Sequence, residues 1–291
     1  MQKGRWIVHC FEAGAALLAF GLFRVLPVEV ASWLGGTLLR LIGPQLEVSQ
    51  VARRNLKAVF PDKPAVEIET IVCRMWDNLG RTIGELPHIA TLIRDPDRVQ
   101  VDRPDIIATL RDDGQPGIVF SAHLGNWEVA TVLGPRYGLP LAVFYRAPNN
   151  PLVRPLYRRI HGAGGAHLLA KGSGGAREAL KILQRGGHLG ILVDQKMSDG
   201  IQIPFLGREA MIAPALAQFA YRYGCPVVPS RVIRLGGARF RFVIQPPLTL
   251  PATGDRQADV VETMRRVNAF IETWIRDTPE QWLWIHRRWP E

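Results

Sequence analysis

Gly117-Ile118-Val119-Phe120-Ser121-Ala122-His123-Leu124-Gly125-Asn126-Trp127-Glu128 is an apolar run that stops at a histidine and reaches a carboxylate five positions later. Ile118, Val119 and Phe120 suit a buried strand, and Gly125-Asn126 opens a helix. A histidine at that junction lies at the carboxyl edge of a sheet, where open α/β folds bind ligands. Glu128 then falls one turn into the helix. From there it is placed to hold the imidazole in one tautomer and to stabilise it once protonated, as a general base acting on a hydroxyl requires.

Working outward, strand candidates alternate with helices. The strands are Leu141–Tyr145, Ala166–Ala170, His188–Val193, Pro226–Ile233 and Phe240–Gln245, besides Gly117–Ser121. Helical stretches follow His123 and start near Pro151, Gly174 and Ala213, with a last helix near Asp255 to Asp277 ahead of a Trp-rich tail. Pro61-Asp62-Lys63-Pro64 breaks one helical pattern and begins another from about Ala65 to Leu86. This alternation predicts an α/β fold with a mostly parallel central sheet flanked by helices. Residues 46–291 read as one such domain, and residues 1–45 as a separate membrane-associated segment.

The spacing His-x-x-x-x-Asp/Glu is not selective by itself. With seven histidines and 26 acidic residues, about 0.6 matches arise by chance, so context has to confirm a hit. His286 and Glu291 share the spacing in an Arg-rich terminus with no strand before them. A core histidine hydrogen-bonded at a strand end is the plain structural alternative for His123.

Order along the chain supplies the context. Arg53-Arg54-Asn55-Leu56 with Phe60-Pro61, then His123 to Glu128, then Phe144-Tyr145-Arg146-Ala147-Pro148-Asn149-Asn150-Pro151 form three blocks. Leu192-Val193-Asp194-Gln195, Pro204-Phe205-Leu206-Gly207, Pro226-Val227-Val228-Pro229 and Pro279-Glu280-Gln281-Trp282-Leu283-Trp284-Ile285-His286-Arg287-Arg288 follow. In this order they resemble the bacterial lipid A biosynthesis acyltransferases of the lysophospholipid acyltransferase superfamily, over nearly the whole chain. The resemblance implies a glycerolipid acyltransferase-like fold and catalysis by His123 and Glu128. It also implies a substrate-binding group of Asn126, Arg146, Asn149, Arg159, Asp194 and Gln195. Arg159 is chosen from an ambiguous register, because Arg158-Arg159-Ile160-His161 stands where one particular arginine is expected. Ala210-Met211-Ile212-Ala213 stands where the family usually has threonines, which bears on acyl-chain or sugar contacts.

The residues have bland alternatives. Arg146 and Asn149 also fit a surface arginine and a turn asparagine, and Asp194 a cap or turn. Arg177, Lys181 and Arg185 form a basic stripe that suits an acidic carrier protein or headgroups, or simply a solvated helix face. Gly162-Ala163-Gly164-Gly165 lacks the Lys-Ser/Thr of a nucleotide loop. The implied partners are acyl carrier protein or acyl-CoA as donor, a glycolipid acceptor, and membrane phospholipid. A thioester is an activated donor, so the chemistry needs a base and oxyanion stabilisation, with no metal and no cofactor. Ser121 is the only hydroxyl near His123 and has no Gly-x-Ser-x-Gly elbow, which favours direct transfer over an acyl-enzyme. The alternatives are another glycolipid acceptor such as a phosphatidylinositol mannoside, a lipid hydrolase or thioesterase, and a silent lipid-binding scaffold.

A formal charge of +10 implies anionic company. Basic residues spread through the chain without a recognised DNA- or RNA-binding motif, so nucleic acid is not expected. Three cysteines, far apart and without Cys-x-x-Cys spacing, suggest neither a metal site nor a disulfide framework. At the N-terminus Trp6 to Leu26 is mostly apolar, but Glu12 interrupts it, and the uncharged run Ala13 to Phe23 falls short of the ~20 residues a membrane span needs. A mid-bilayer carboxylate costs about 3 kcal/mol, which puts Glu12 at an interface, neutralised, or against protein. A cleaved signal peptide is the rival reading. Val30, Trp33, Leu34, Leu38, Leu41 and Ile42 recur at helical spacing, fitting a helix that lies on the membrane or packs on the domain. An anchor with Lys3 and Arg5 ahead of it places the domain at the cytoplasmic face of the inner membrane.

Overall fold

The computed structural model describes residues 3–162 and 165–289. Ala163 and Gly164 of the glycine cluster, Glu291 of the second histidine spacing, and the side chains of Lys3, Arg5 and His161 lie outside the described residues. The helices are α1 (Lys3–Val25), α2 (Val28–Ile42), α3 (Val48–Val59), α4 (Ala65–Glu85), α5 (Ile89–Leu92) and α6 (Pro104–Asp112). Beyond these come α7 (Trp127–Arg136), α8 (Arg154–Gly162), α9 (Ser173–Gln184), α10 (Ala215–Tyr223) and α11 (Arg256–Asp277). The strands are β1 (Val99–Val101), β2 (Gly117–Ser121), β3 (Leu141–Tyr145), β4 (His167–Ala170), β5 (His188–Leu192), β6 (Ile201–Phe205), β7 (Arg208–Ile212), β8 (Val227–Gly236) and β9 (Arg239–Ile244).

Seven strands form the main sheet in the order β1-β9-β8-β2-β5-β3-β4. All neighbours are parallel except β8 and β9, which pair antiparallel. The expected mostly parallel sheet is therefore present, with β2 near its centre. Every residue of β2 is buried, Ile118 and Phe120 in the core on one face and Val119 in the core on the other. A strand covered on both faces needs apolar residues at every position, which is why its sequence shows no alternation. The expected strands and the helices Ala65–Glu85 and Arg256–Asp277 differ from observation by a few residues at most. The sequence reading missed β1, which has only three residues, and the antiparallel pair β6–β7. That hairpin turns through Leu206 and Gly207, both at positive φ (52° and 78°), the tight geometry that matches strand twist.

At the N-terminus the helix runs straight through Glu12. Trp6–Val25 is 20 residues of mean hydropathy 1.7, long and apolar enough to cross a membrane, with 11% of it buried. The expected shortfall came from ending the span at a charge. Glu12 instead accepts a hydrogen bond from Asn150 Nδ2 at 3.0 Å, and the same amide donates to His9 O at 2.8 Å. The other end of α1 is tied down by Arg24 donating to Pro87 O and by His88 Nε2 donating to Phe23 O.

Helix α2 packs on α4 through Ala31, Ser32, Gly35 and Gly36, and leaves Val30, Trp33, Leu38, Leu41 and Ile42 exposed. Glycine is needed at this crossing. A Cβ on Gly35 would lie 2.3 Å from Gly80 O, and one on Gly84 2.3 Å from Ala31 O. The large apolar residues thus form an outer surface continuous in character with exposed Phe11, Leu17, Leu18 and Leu22 of α1, while the small ones face the protein.

Candidate active site

Strand β2 ends at Ser121, and the chain turns sharply through His123, Leu124 and Gly125 into α7. Gly125 has φ +57°, and a Cβ there would sit 2.4 Å from Val232 O, so the turn requires glycine. Asn126 caps α7, its side chain accepting from Glu128 N at 3.2 Å. Next to β2, strand β5 runs parallel with Ser121 opposite Leu192. Two residues past each strand end, His123 and Asp194 meet at the carboxyl edge of the sheet.

Asp194 is fully buried. Its Oδ1 accepts from His123 Nδ1 at 2.8 Å, while Oδ2 accepts from His123 N at 2.9 Å and Trp282 Nε1 at 2.8 Å. A carboxylate with three N–H donors stays ionised. Burial alone would raise its pKa, but the charge and hydrogen bond of His123 hold it well below the usual carboxylate range. Burial pulls His123 down, and the charge and hydrogen bond of Asp194, with the charge of Glu128, outweigh it and raise the imidazole above its ordinary value. Lys171 opposes them. Because Nδ1 must donate to Asp194, the neutral ring carries its lone pair on Nε2. Gln195 Nε2 lies 3.4 Å from that nitrogen, at the outer limit of a hydrogen bond. The ring is walled by Trp127 and His286, with centroids 5.2 Å and 5.3 Å away.

The model of the bacterial lipid A biosynthesis acyltransferase family matches residues 5–291. The chain belongs to that family. It is 24% identical over 237 residues to the lipid A biosynthesis myristoyltransferase of Escherichia coli (strain K12), covering 79% of this chain and 72% of the relative. It is 26% identical over 278 residues to the lipid A biosynthesis palmitoleoyltransferase of the same strain, covering 92% and 87%. A lipid A biosynthesis acyltransferase of Haemophilus influenzae is 23% identical over 274 residues, covering 91% and 83%. This lipid A acyltransferase family member is thus an acyltransferase, as the resemblance of its motifs implies.

Its structure brings together only part of the expected site. His123, Asp194 and Gln195 meet, and Glu128 acts on the imidazole through its charge while its Oε1 accepts from Trp127 Nε1 at 3.1 Å. Glu128 was expected to hold the imidazole in one tautomer, but the ring's Nδ1 donates its hydrogen bond to Asp194, which adjacent strand ends deliver. Asp194 was expected among the substrate-binding residues, but its burial and three accepted hydrogen bonds point its chemistry toward His123. Asn126 is also fully buried and donates to Glu85 Oε2 at 2.7 Å, so its amide is spent on the scaffold. Arg146 and Asn149 are exposed in the segment after β3, at the same sheet edge, and Arg159 is exposed on α8.

Sequence reasoning missed the buried network behind the turn. Glu85 on α4 accepts from Asn126, from Ser32 Oγ of α2 at 2.7 Å, and from the guanidinium of Arg234 on β8. A buried carboxylate is sustained only by such full pairing. The sequence signal available was an acidic residue at the end of the apolar face of α4. Also missed were the roles of Trp282, quoted only as part of a family block, of His286, read there and as a chance match to the histidine–carboxylate spacing, and of Lys171.

Proposed function

We propose that this enzyme transfers a fatty acyl group from an acyl carrier protein or CoA thioester to a hydroxyl of a lipid A precursor, with His123 Nε2 as the general base. The observation that carries this reading is the His123 Nδ1 to Asp194 Oδ1 bond, which leaves a lone pair on the other ring nitrogen at the sheet edge. The acceptor hydroxyl gives its proton to Nε2 as its oxygen attacks the thioester carbonyl carbon. Asp194 and Glu128 stabilise the imidazolium so formed. When the tetrahedral oxyanion collapses, the carbon–sulfur bond breaks and Nε2 returns the proton to the leaving thiolate. Arg146 and Arg159 serve as anion-binding residues for phosphate on donor or acceptor, and Asn149 supports the Arg146 turn. Helix α1 anchors the enzyme in the inner membrane, the exposed apolar face of α2 rests on lipid, and the catalytic domain sits on the cytoplasmic side.

The test combines kinetics with lipid analysis. Purified His123→Ala and Glu128→Ala are each expected to lose most transfer activity with folding intact, the double variant losing little more than the worse single one. Near wild-type turnover by His123→Ala refutes the base assignment. Mass spectrometry of lipids from a strain lacking the protein is expected to show lipid A short of one acyl chain. An underacylated glycolipid of another class would redirect the acceptor assignment. Protease added outside the inner membrane of intact cells should leave the domain uncut, and digestion there contradicts the orientation.

A further inference from the structure

The C-terminal segment touches every part of the catalytic turn. Trp282 pairs with Leu124 in an antiparallel bridge, and Gln281 O accepts from Gly125 N at 3.0 Å. Trp282 is fully buried and its indole N–H ends on Asp194 Oδ2. Four residues on, the His286 ring meets the His123 ring at 67° between planes. The segment is itself pinned from a distant part of the chain: Asn55 Nδ2 on α3 donates to Trp284 O at 2.9 Å and His286 O at 3.0 Å. This gives a physical use to two sequence blocks, one around Asn55 and one around Trp282 to His286, that supply neither the base nor its carboxylate.

We propose that residues 281–286 are a positioning arm of the catalytic site, in which Trp282 sets the Asp194 carboxylate, His286 buttresses the His123 ring, and Asn55 pins the arm. The inference rests on His123 being the base. Oδ2 of Asp194 is shared between the indole and the His123 backbone, leaving Oδ1 to the ring, so the indole fixes which oxygen serves the imidazole. His286 is suited to an apolar wall, because burial, with the opposing pull of Asp194 and the repulsion of His123 and Arg288, pushes it down to about 4 and keeps it neutral. The charged and titratable groups facing the His123–Asp194 pair are Glu128 on α7, Lys171 ahead of α9, and His286 and Arg288 of the C-terminal segment.

The experiment uses the full-length protein with Trp282→Phe, Asn55→Ala, His286→Ala and His286→Phe. It reads kcat and KM across pH, and the titration of His123 by NMR of histidine-labelled protein. Trp282→Phe keeps an aromatic filler but loses the donor, so Asp194 concentrates its charge on the imidazole. The His123 titration and the acid limb of kcat should both move to higher pH, and kcat should fall roughly tenfold with KM unchanged. Asn55→Ala should lower kcat alone, and His286→Phe should recover what His286→Ala loses. A His123 titration and acid limb at the wild-type position in Trp282→Phe overturn the proposal, as does a His286→Phe no better than His286→Ala. If Trp282→Phe does not fold, an Asn55→Ala variant with wild-type kcat and His123 titration overturns it instead. Because the NMR titration needs no turnover, it separates failure of the arm from failure of His123 as the base.

Discussion

Asp194→Asn should invert the tautomer of the His123 ring, which the proposed mechanism makes the base. The wild-type carboxylate accepts two N–H groups on Oδ2 and one on Oδ1. An asparagine amide has a single acceptor oxygen, and facing the two donors with it satisfies more bonds than the reverse. Its NH2 then points at His123 Nδ1, which must become the acceptor, and the ring proton moves to Nε2. The nitrogen facing substrate is then a donor, not a base. The loss has two parts: a charge-assisted hydrogen bond to the imidazolium, about 1.5–3 kcal/mol, and a mispaired buried group, about 1–3 kcal/mol. Their sum of roughly 3–6 kcal/mol corresponds to about 10²–10⁴ in kcat. The acid limb has a definite sign. On the proposed mechanism His123 works as a base only when unprotonated, and Asp194 raises its pKa, so wild-type activity should fall as pH drops through a value above the ordinary histidine one. Removing the charge moves that limb to lower pH. Steady-state kinetics from pH 5 to 9, roughly, would be read beside imidazole nitrogen shifts, which report the tautomer directly. A kcat within about threefold of wild type, with the limb unmoved and the proton still on Nδ1, would refute the reasoning.

Glu85→Ala leaves Arg234 buried without its carboxylate and Asn126 without its acceptor, so unfolding in denaturant should show a loss of about 3–5 kcal/mol. Gly80→Ala places a Cβ 2.1 Å from Gly35 O, so α2 must shift off α4. Thermal melting should register at least 1 kcal/mol, roughly, of destabilisation, and an unchanged melting temperature would contradict the close packing. Arg146→Ala and Arg159→Ala should each raise KM or lower kcat by about tenfold or more. Arg146→Lys should recover only part of this, since an ammonium lacks the planar fork. If Arg185→Ala, just past the end of α9, does as much damage as either arginine, the effect is diffuse electrostatics and not a site.

Local pattern carried the fold because its signals are short-range. Apolar runs ending near Ser121, Tyr145 and Val193 announced strands of the sheet, and the Pro61–Pro64 break marked a helix start. His123 was legible for the same reason, as a polar side chain at the end of a buried strand. Periodicity also found the apolar positions of α2, but not which way they face: a helix that packs by its glycines and exposes its leucines reverses the usual amphipathic assignment. Likewise the histidine's hydrogen-bond partner could not be read locally. Glu128 is near in sequence, but Asp194, 71 residues away, is delivered to Nδ1 because β2 and β5 are parallel neighbours in a fixed register. The contacts of Glu85 with Arg234, Trp282 with Asp194, and His286 with His123 are of the same kind. Sequence determined which residues end strands and cap helices, since those depend on a few neighbouring backbone units. Strand order and helix packing alone decided which of those ends share a site, because side chains far apart in the chain acquire partners only when the sheet is assembled.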